Sequence, residues 1–150
     1  MKRNRTILSV VCLLFLFLSQ INAEDIPQNR IGVHDPVMIK QDGTYYLFTT
    51  GRGVSVWSSV DLVSWNREKS VFSEVPKWTQ DSISTFRGHF WAPDISYHNG
   101  EYHLYYSVSA FGKNTSCMGL ATNKTLNPKD PEFNWVDHGA VICSTPNVDN

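Results

Sequence analysis

The chain has 150 residues, with thirteen Lys and Arg against fourteen Asp and Glu, a net charge of −1 with its histidines neutral. No basic stripe runs through it, which excludes the electrostatic footprint of a nucleic-acid binder. Its three cysteines are too few for a disulfide framework.

Residues 1–23 read as a secretory signal peptide. Lys2, Arg3 and Arg5 make a basic start, residues 7–18 form an apolar run broken only by Ser9, and Ala23 offers a small residue for cleavage. That run is too short for a bilayer core, which needs about 20 apolar residues, so no membrane contact is expected once the leader is removed. Residues 24–150 then carry ten Lys and Arg against fourteen acids, a net charge of −4, and are expected to be secreted or periplasmic. Cys117 and Cys143 are the cysteines that remain. Export permits a disulfide between them, and two buried thiols are the alternative. Asn114-Thr115-Ser116 and Asn123-Lys124-Thr125 have the form of glycosylation sequons.

From residue 28 to residue 142 no apolar pattern holds at helical spacing; short β-branched and aromatic runs alternate with turn residues. Strands are predicted at 36–40, 44–50 and 54–59, with a fourth near Val71-Phe72. Asp42-Gly43 makes the first hairpin turn, Gly51-Arg52-Gly53 the second, and Trp65 closes a third as a buried structural residue. Residues 74–90 read as a loop over one face. Strands at 92–98, 101–109, 117–122 and 135–142 then repeat the order, with Asn99-Gly100 as hairpin turn.

The second set is a repeat of the first. Residues 36–48 align with 93–105 without a gap at an offset of 57, proline on proline, Gly43 on Gly100, Tyr45 on Tyr102 and Leu47 on Leu104. Strand-rich repeats of this length mark propeller blades. Residues 141–146 run from a strand into a turn. Two repeats do not close a ring of four to eight blades, so residues 24–150 are expected to be the N-terminal two blades of a larger propeller.

Two strand mouths carry the chemistry. Asp35 precedes Pro36, which biases it toward extended backbone; a carboxylate held there can act as general base on water or merely form a turn. Gly88-His89-Phe90-Trp91-Ala92-Pro93-Asp94 precedes the second inner strand. Trp91 offers a face on which a sugar ring can stack, or a plug for the inter-blade core. Phe111 falls in a loop near the same end. Asp94 aligns two residues beyond Asp35, and residues two apart on a strand share a face, so the two acids form a candidate glycosidase pair.

The His34-Asp35-Pro36 opening, the Asp42-Gly43 turn with Tyr45-Tyr46-Leu47, and the Trp91-Ala92-Pro93 block resemble glycoside hydrolase family 43, above all its endo-1,5-α-L-arabinanases. The likeness runs over residues 31–146. It implies an all-β, five-bladed propeller that inverts configuration as it hydrolyses arabinan or a related plant cell-wall polysaccharide. It implies Asp35 as general base, Trp91 and Phe111 as sugar contacts, and His34 as a substrate-binding neighbour of the base. The family's second Asp and its general-acid Glu belong to later blades. Asp94 matches neither, and Asp149 stands a few positions short of the second Asp. Calcium, in the complete propeller, is held by a histidine of a later blade, so no cofactor or metal ligand is expected within this chain. The alternatives are an exo-acting α-L-arabinofuranosidase or β-xylosidase of the same family, and a non-catalytic carbohydrate-binding or inactive fragment.

Overall fold

The structure, a computed structural model, describes residues 31–144. The leader and Asp149 lie outside the described residues. The first blade contains β1 (Val37–Gln41), β2 (Thr44–Thr49), β4 (Ser55–Ser59) and β5 (Asn66–Arg67), hydrogen-bonded in the order β1-β2-β4-β5. The second contains β6 (His89–His98), β7 (Glu101–Ser109), β8 (Ser116–Asn123) and β9 (Val136–Cys143), and the short β3 (Gly51–Arg52) joins its inner edge. All pairings are antiparallel.

Both hairpin turns form where expected. Asp42 and Gly43 have φ of 48° and 84°, and Asn99 and Gly100 have 51° and 86°. Two positive φ values in succession match the right-handed twist of the flanking strands, and Asx-Gly adopts them at least cost. Each turn sets its register: Gln41 faces Thr44, and His98 faces Glu101.

Three expectations are corrected. The fourth strand of the first blade is Asn66–Arg67, not the segment near Val71-Phe72. The Val71 and Phe72 N–H groups still donate to Val54 and Gly53 carbonyls at 3.2 and 2.9 Å, but outside a regular ladder. Their apolar character serves the core: Phe72 packs on Phe90 and Tyr106 at 5.0 and 4.9 Å between ring centroids. Gly51-Arg52, read as turn, is instead strand β3, with Gly51 facing Phe90 and Arg52 facing His89; it carries the first blade's chain onto the second blade's sheet. Within the linker, α1 (Lys77–Ser82) replaces the expected loop. Its Thr79 is fully buried and bonds the Pro76 carbonyl at 2.7 Å.

The core lies between the blades and under the linker. Phe48, Val54, Phe86, Phe90, Leu104, Tyr106 and Val108 are each at most 1% exposed. Edge-to-face contacts such as Phe86–Phe90 at 5.0 Å fix their geometry. Trp65 is half-buried rather than a core residue, whereas Trp135 packs on Phe48. At the outer edge Cys117 and Cys143 face each other across β8 and β9 and are bonded, which excludes the two-thiol alternative. Of the two sequons, Asn114 is exposed, while Asn123 is 2% exposed and holds the Asn134 N–H at 3.0 Å.

Candidate active site

Asp35 is a bulged residue. The β1–β2 ladder pairs Val37 with Phe48, but the Thr50 N–H, two residues beyond Phe48, donates at 3.0 Å to the carbonyl of His34, three residues before Val37, one residue out of that register. Asp35 takes up the slip with φ of 49°. The extended backbone expected before a proline is therefore corrected: the bulge overrides the proline's bias. A bulge re-aims the side chain it carries, and left-handed backbone at a non-glycine residue costs about 1–3 kcal/mol, a strain typical of functional sites.

The strain positions a carboxylate. Asp35 Oδ2 accepts hydrogen bonds from the Thr50 hydroxyl and His34 Nδ1, each at 2.7 Å. The Thr50 bond, then His34, hold the Asp35 carboxyl below its ordinary value of 3.8; partial desolvation opposes them, and the Ala92 N–H adds to them. The side chain remains 39% exposed, so the anion is both stabilised and reachable.

Opposite stands the mouth of the second blade. The β6–β7 ladder slips by one residue between Trp91 and Asp94, and Ala92 inside that slip has φ of 42°. Trp91 is half-buried; Phe111 is 85% exposed and leans on it, with centroids 4.8 Å apart and planes at 57°. The His89 ring lies edge-on to Trp91, with centroids 6.1 Å apart. His34, Asp35, Thr50, His89, Trp91 and Phe111 line one open cleft of about 860 Å³, with Lys113 at its rim.

The structure thus brings together His34, Asp35, Trp91 and Phe111. It separates Asp94, which lies beyond the bulge and lines a different hollow with Tyr105 and Met118. The candidate Asp35–Asp94 pair does not share a cleft, because the slip intervenes between them. Thr50 was missed as a site residue, although a signal existed: extending the register set at Asp42-Gly43 back along the hairpin places Thr50 at the level of Asp35. Among the described residues no group of three or more His, Cys, Asp or Glu side chains could hold a metal ion. They do not make a calcium site. No helix among them is long and apolar enough to cross a membrane.

The fold is that of β-propeller blades, with one carboxylate and an aromatic pair lining the same cleft at the strand mouths. The chain belongs to glycosyl hydrolases family 43, whose profile matches residues 26–149. It is 50% identical over 120 residues to the extracellular exo-α-(1→5)-L-arabinofuranosidase ArbA of Cellvibrio japonicus, an alignment covering 80% of this chain and 35% of that protein. It is 42% identical over 117 residues to the extracellular endo-α-(1→5)-L-arabinanase 1 of Bacillus subtilis, covering 75% and 35%. The solved structure of the Cellvibrio cellulosa α-L-arabinanase matches with a TM-score of 0.78 at 50% identity, covering 80% of this chain and 38% of that one. The chain spans about a third of the length of these curated relatives. Its fold is all-β, part of the family's five-bladed propeller.

Proposed function

We propose that the full-length protein hydrolyses α-1,5-linked L-arabinan with inversion of configuration, with Asp35 as general base. The observation that carries this is the shared cleft, in which the ionised Asp35 carboxylate faces the Trp91–Phe111 platform. A furanose ring stacked there would present its anomeric carbon toward the carboxylate. Asp35 would take a proton from a water on the face opposite the leaving oxygen, and His34 would steady the base and meet the sugar. Inversion needs the base roughly 6.5–9.5 Å from a general acid, which comes from a residue outside those described, as would any calcium ligands.

Exo action on the same linkage is the second reading, favoured by the 50% identity to the Cellvibrio japonicus exo-enzyme. We further infer that residues 1–23 are a cleaved leader and that the protein acts outside the cytoplasm, secreted or periplasmic. The extracellular names of both relatives and the Cys117–Cys143 disulfide support this, since disulfides persist in oxidising compartments.

The test is to incubate the full-length protein with debranched arabinan and follow reducing ends, product length and the anomer released. Short oligosaccharides of inverted configuration are expected for endo action, and arabinose or a single short product for exo action. No release, or retention of configuration, would contradict the proposal.

A further inference from the structure

The Thr50 side chain stands at the junction of the two blade mouths. Its hydroxyl donates to Asp35 Oδ2 at 2.7 Å and accepts from the Ala92 N–H at 2.9 Å. Its own N–H holds the His34 carbonyl at 3.0 Å. A hydroxyl has one proton. With the Ala92 N–H directed at the oxygen, that proton is turned toward the carboxylate. Asp35 and Ala92 are the two bulged residues of the site, with φ of 49° and 42°, and this single oxygen bonds to both.

We infer that Thr50 is a positioning residue: it ties the Asp35 carboxylate of the first blade to the Ala92 backbone of the second, and so fixes the base relative to the strand end that carries Trp91. The inference rests on the reading of Asp35 as the base. Ser107 occupies the equivalent place in the second blade, 57 residues on, and makes no such bridge among the described residues. The hydrogen bond also favours the ionised form of Asp35. The other titratable groups facing the cleft are His34 from the same segment, His89 from β6 and Lys113 from the β7–β8 loop; substitutions at Thr50 leave all three in place.

The experiment compares wild type, Thr50→Val and Thr50→Ser in the full-length protein. The Asp35 carboxyl is titrated by ¹³C NMR without substrate, and pH–rate profiles are taken on whichever glycoside the wild type cleaves. Thr50→Val should raise the Asp35 titration and the acid limb of kcat/KM by about one pH unit. It should also lower kcat about tenfold with KM little changed, as expected for a misplaced base. Thr50→Ser, which keeps the hydroxyl, should stay within about twofold of wild type in kcat. Thr50→Ala replaces the valine variant if that does not fold. An Asp35 titration unmoved by loss of the hydroxyl, or a serine variant as impaired as valine, overturns the inference. If the titration moves but wild type does not cleave arabinan, the substrate reading alone falls.

Discussion

The two blade mouths share one backbone device and differ in what they hang on it. His34 and Thr50 in the first correspond to Trp91 and Ser107 in the second at the same 57-residue offset, and each pair spans the strands where the register slips. The bulged residue before the proline is Asp35 in one and Ala92 in the other, both left-handed. In the first blade the bulge delivers a carboxylate. In the second it delivers a bare N–H, which Thr50 uses, while the neighbouring position becomes an aromatic platform. The repeat therefore duplicates geometry, and the division into a wall that carries a carboxylate and a wall that carries aromatic rings comes from side-chain substitution on it.

That division separates carboxylates by role. The largest loss of folding stability is expected at Asp137, which stands on β9, the outer strand of the second blade, and joins it to the linker and to β7. It accepts hydrogen bonds from the Tyr106 hydroxyl, from Trp78 Nε1 at 2.9 Å and from the Gly139 N–H at 3.2 Å. Burial and this carboxylate together push the Tyr106 hydroxyl far above its ordinary value, so it remains a donor. Asp137→Ala should cost about 1–3 kcal/mol for each buried donor left unpaired, read by urea melting. The turnover of each folded molecule should not change. A folded Asp137 variant as inactive as an Asp35 variant would break the contrast.

At the second mouth, Trp91→Ala should raise KM about three- to tenfold, the equivalent of roughly 0.5–1.5 kcal/mol of aromatic contact, with little change in melting temperature. A large fall in melting temperature at unchanged affinity would assign Trp91 to the inter-blade core instead.

The smallest effect is expected at Asp61, an exposed turn carboxylate. The backbone N–H groups of Ser64 and Val63, with the Ser59 hydroxyl, lower its pKa from 3.8 to about 2. A folded value below the ordinary one means its contribution is full above pH 3.8 and is lost as pH falls through about 2. Melting temperatures of wild type and Asp61→Asn should therefore converge on acidification, with activity near neutral pH unaltered. Asp35 and Asp61 are both held low by donors, so a lowered pKa alone does not single out the proposed base; of the two, Asp35 is the one that lines the cleft.

Much of this was legible in the residues, because the strongest signals are local. Asp42-Gly43 and Asn99-Gly100 announce their hairpins, and the gapless repeat announces the blades. His34, Asp35, Trp91 and Phe111 gather in one cleft because the repeat places both mouths at the same end. What was not legible depends on contacts distant in sequence. The pairing of Gly51-Arg52 with β6 is an inter-blade event that looks like a turn from within. Val71 and Phe72 have strand character because they fill the core. The bulge at Asp35 runs against the local preference of a residue before proline, and only the hydrogen bonds to Thr50 and His34 explain why it is tolerated.

The most direct test of this account is the kcat of Asp35→Asn on debranched arabinan, measured in the full-length protein beside its melting temperature. The amide is nearly isosteric but cannot take a proton from water, so kcat should fall by about 10²–10⁴, the usual contribution of a general base, with the melting temperature and KM close to wild type. Turnover retained within about tenfold of wild type would contradict the assignment of the base to the first blade's bulge.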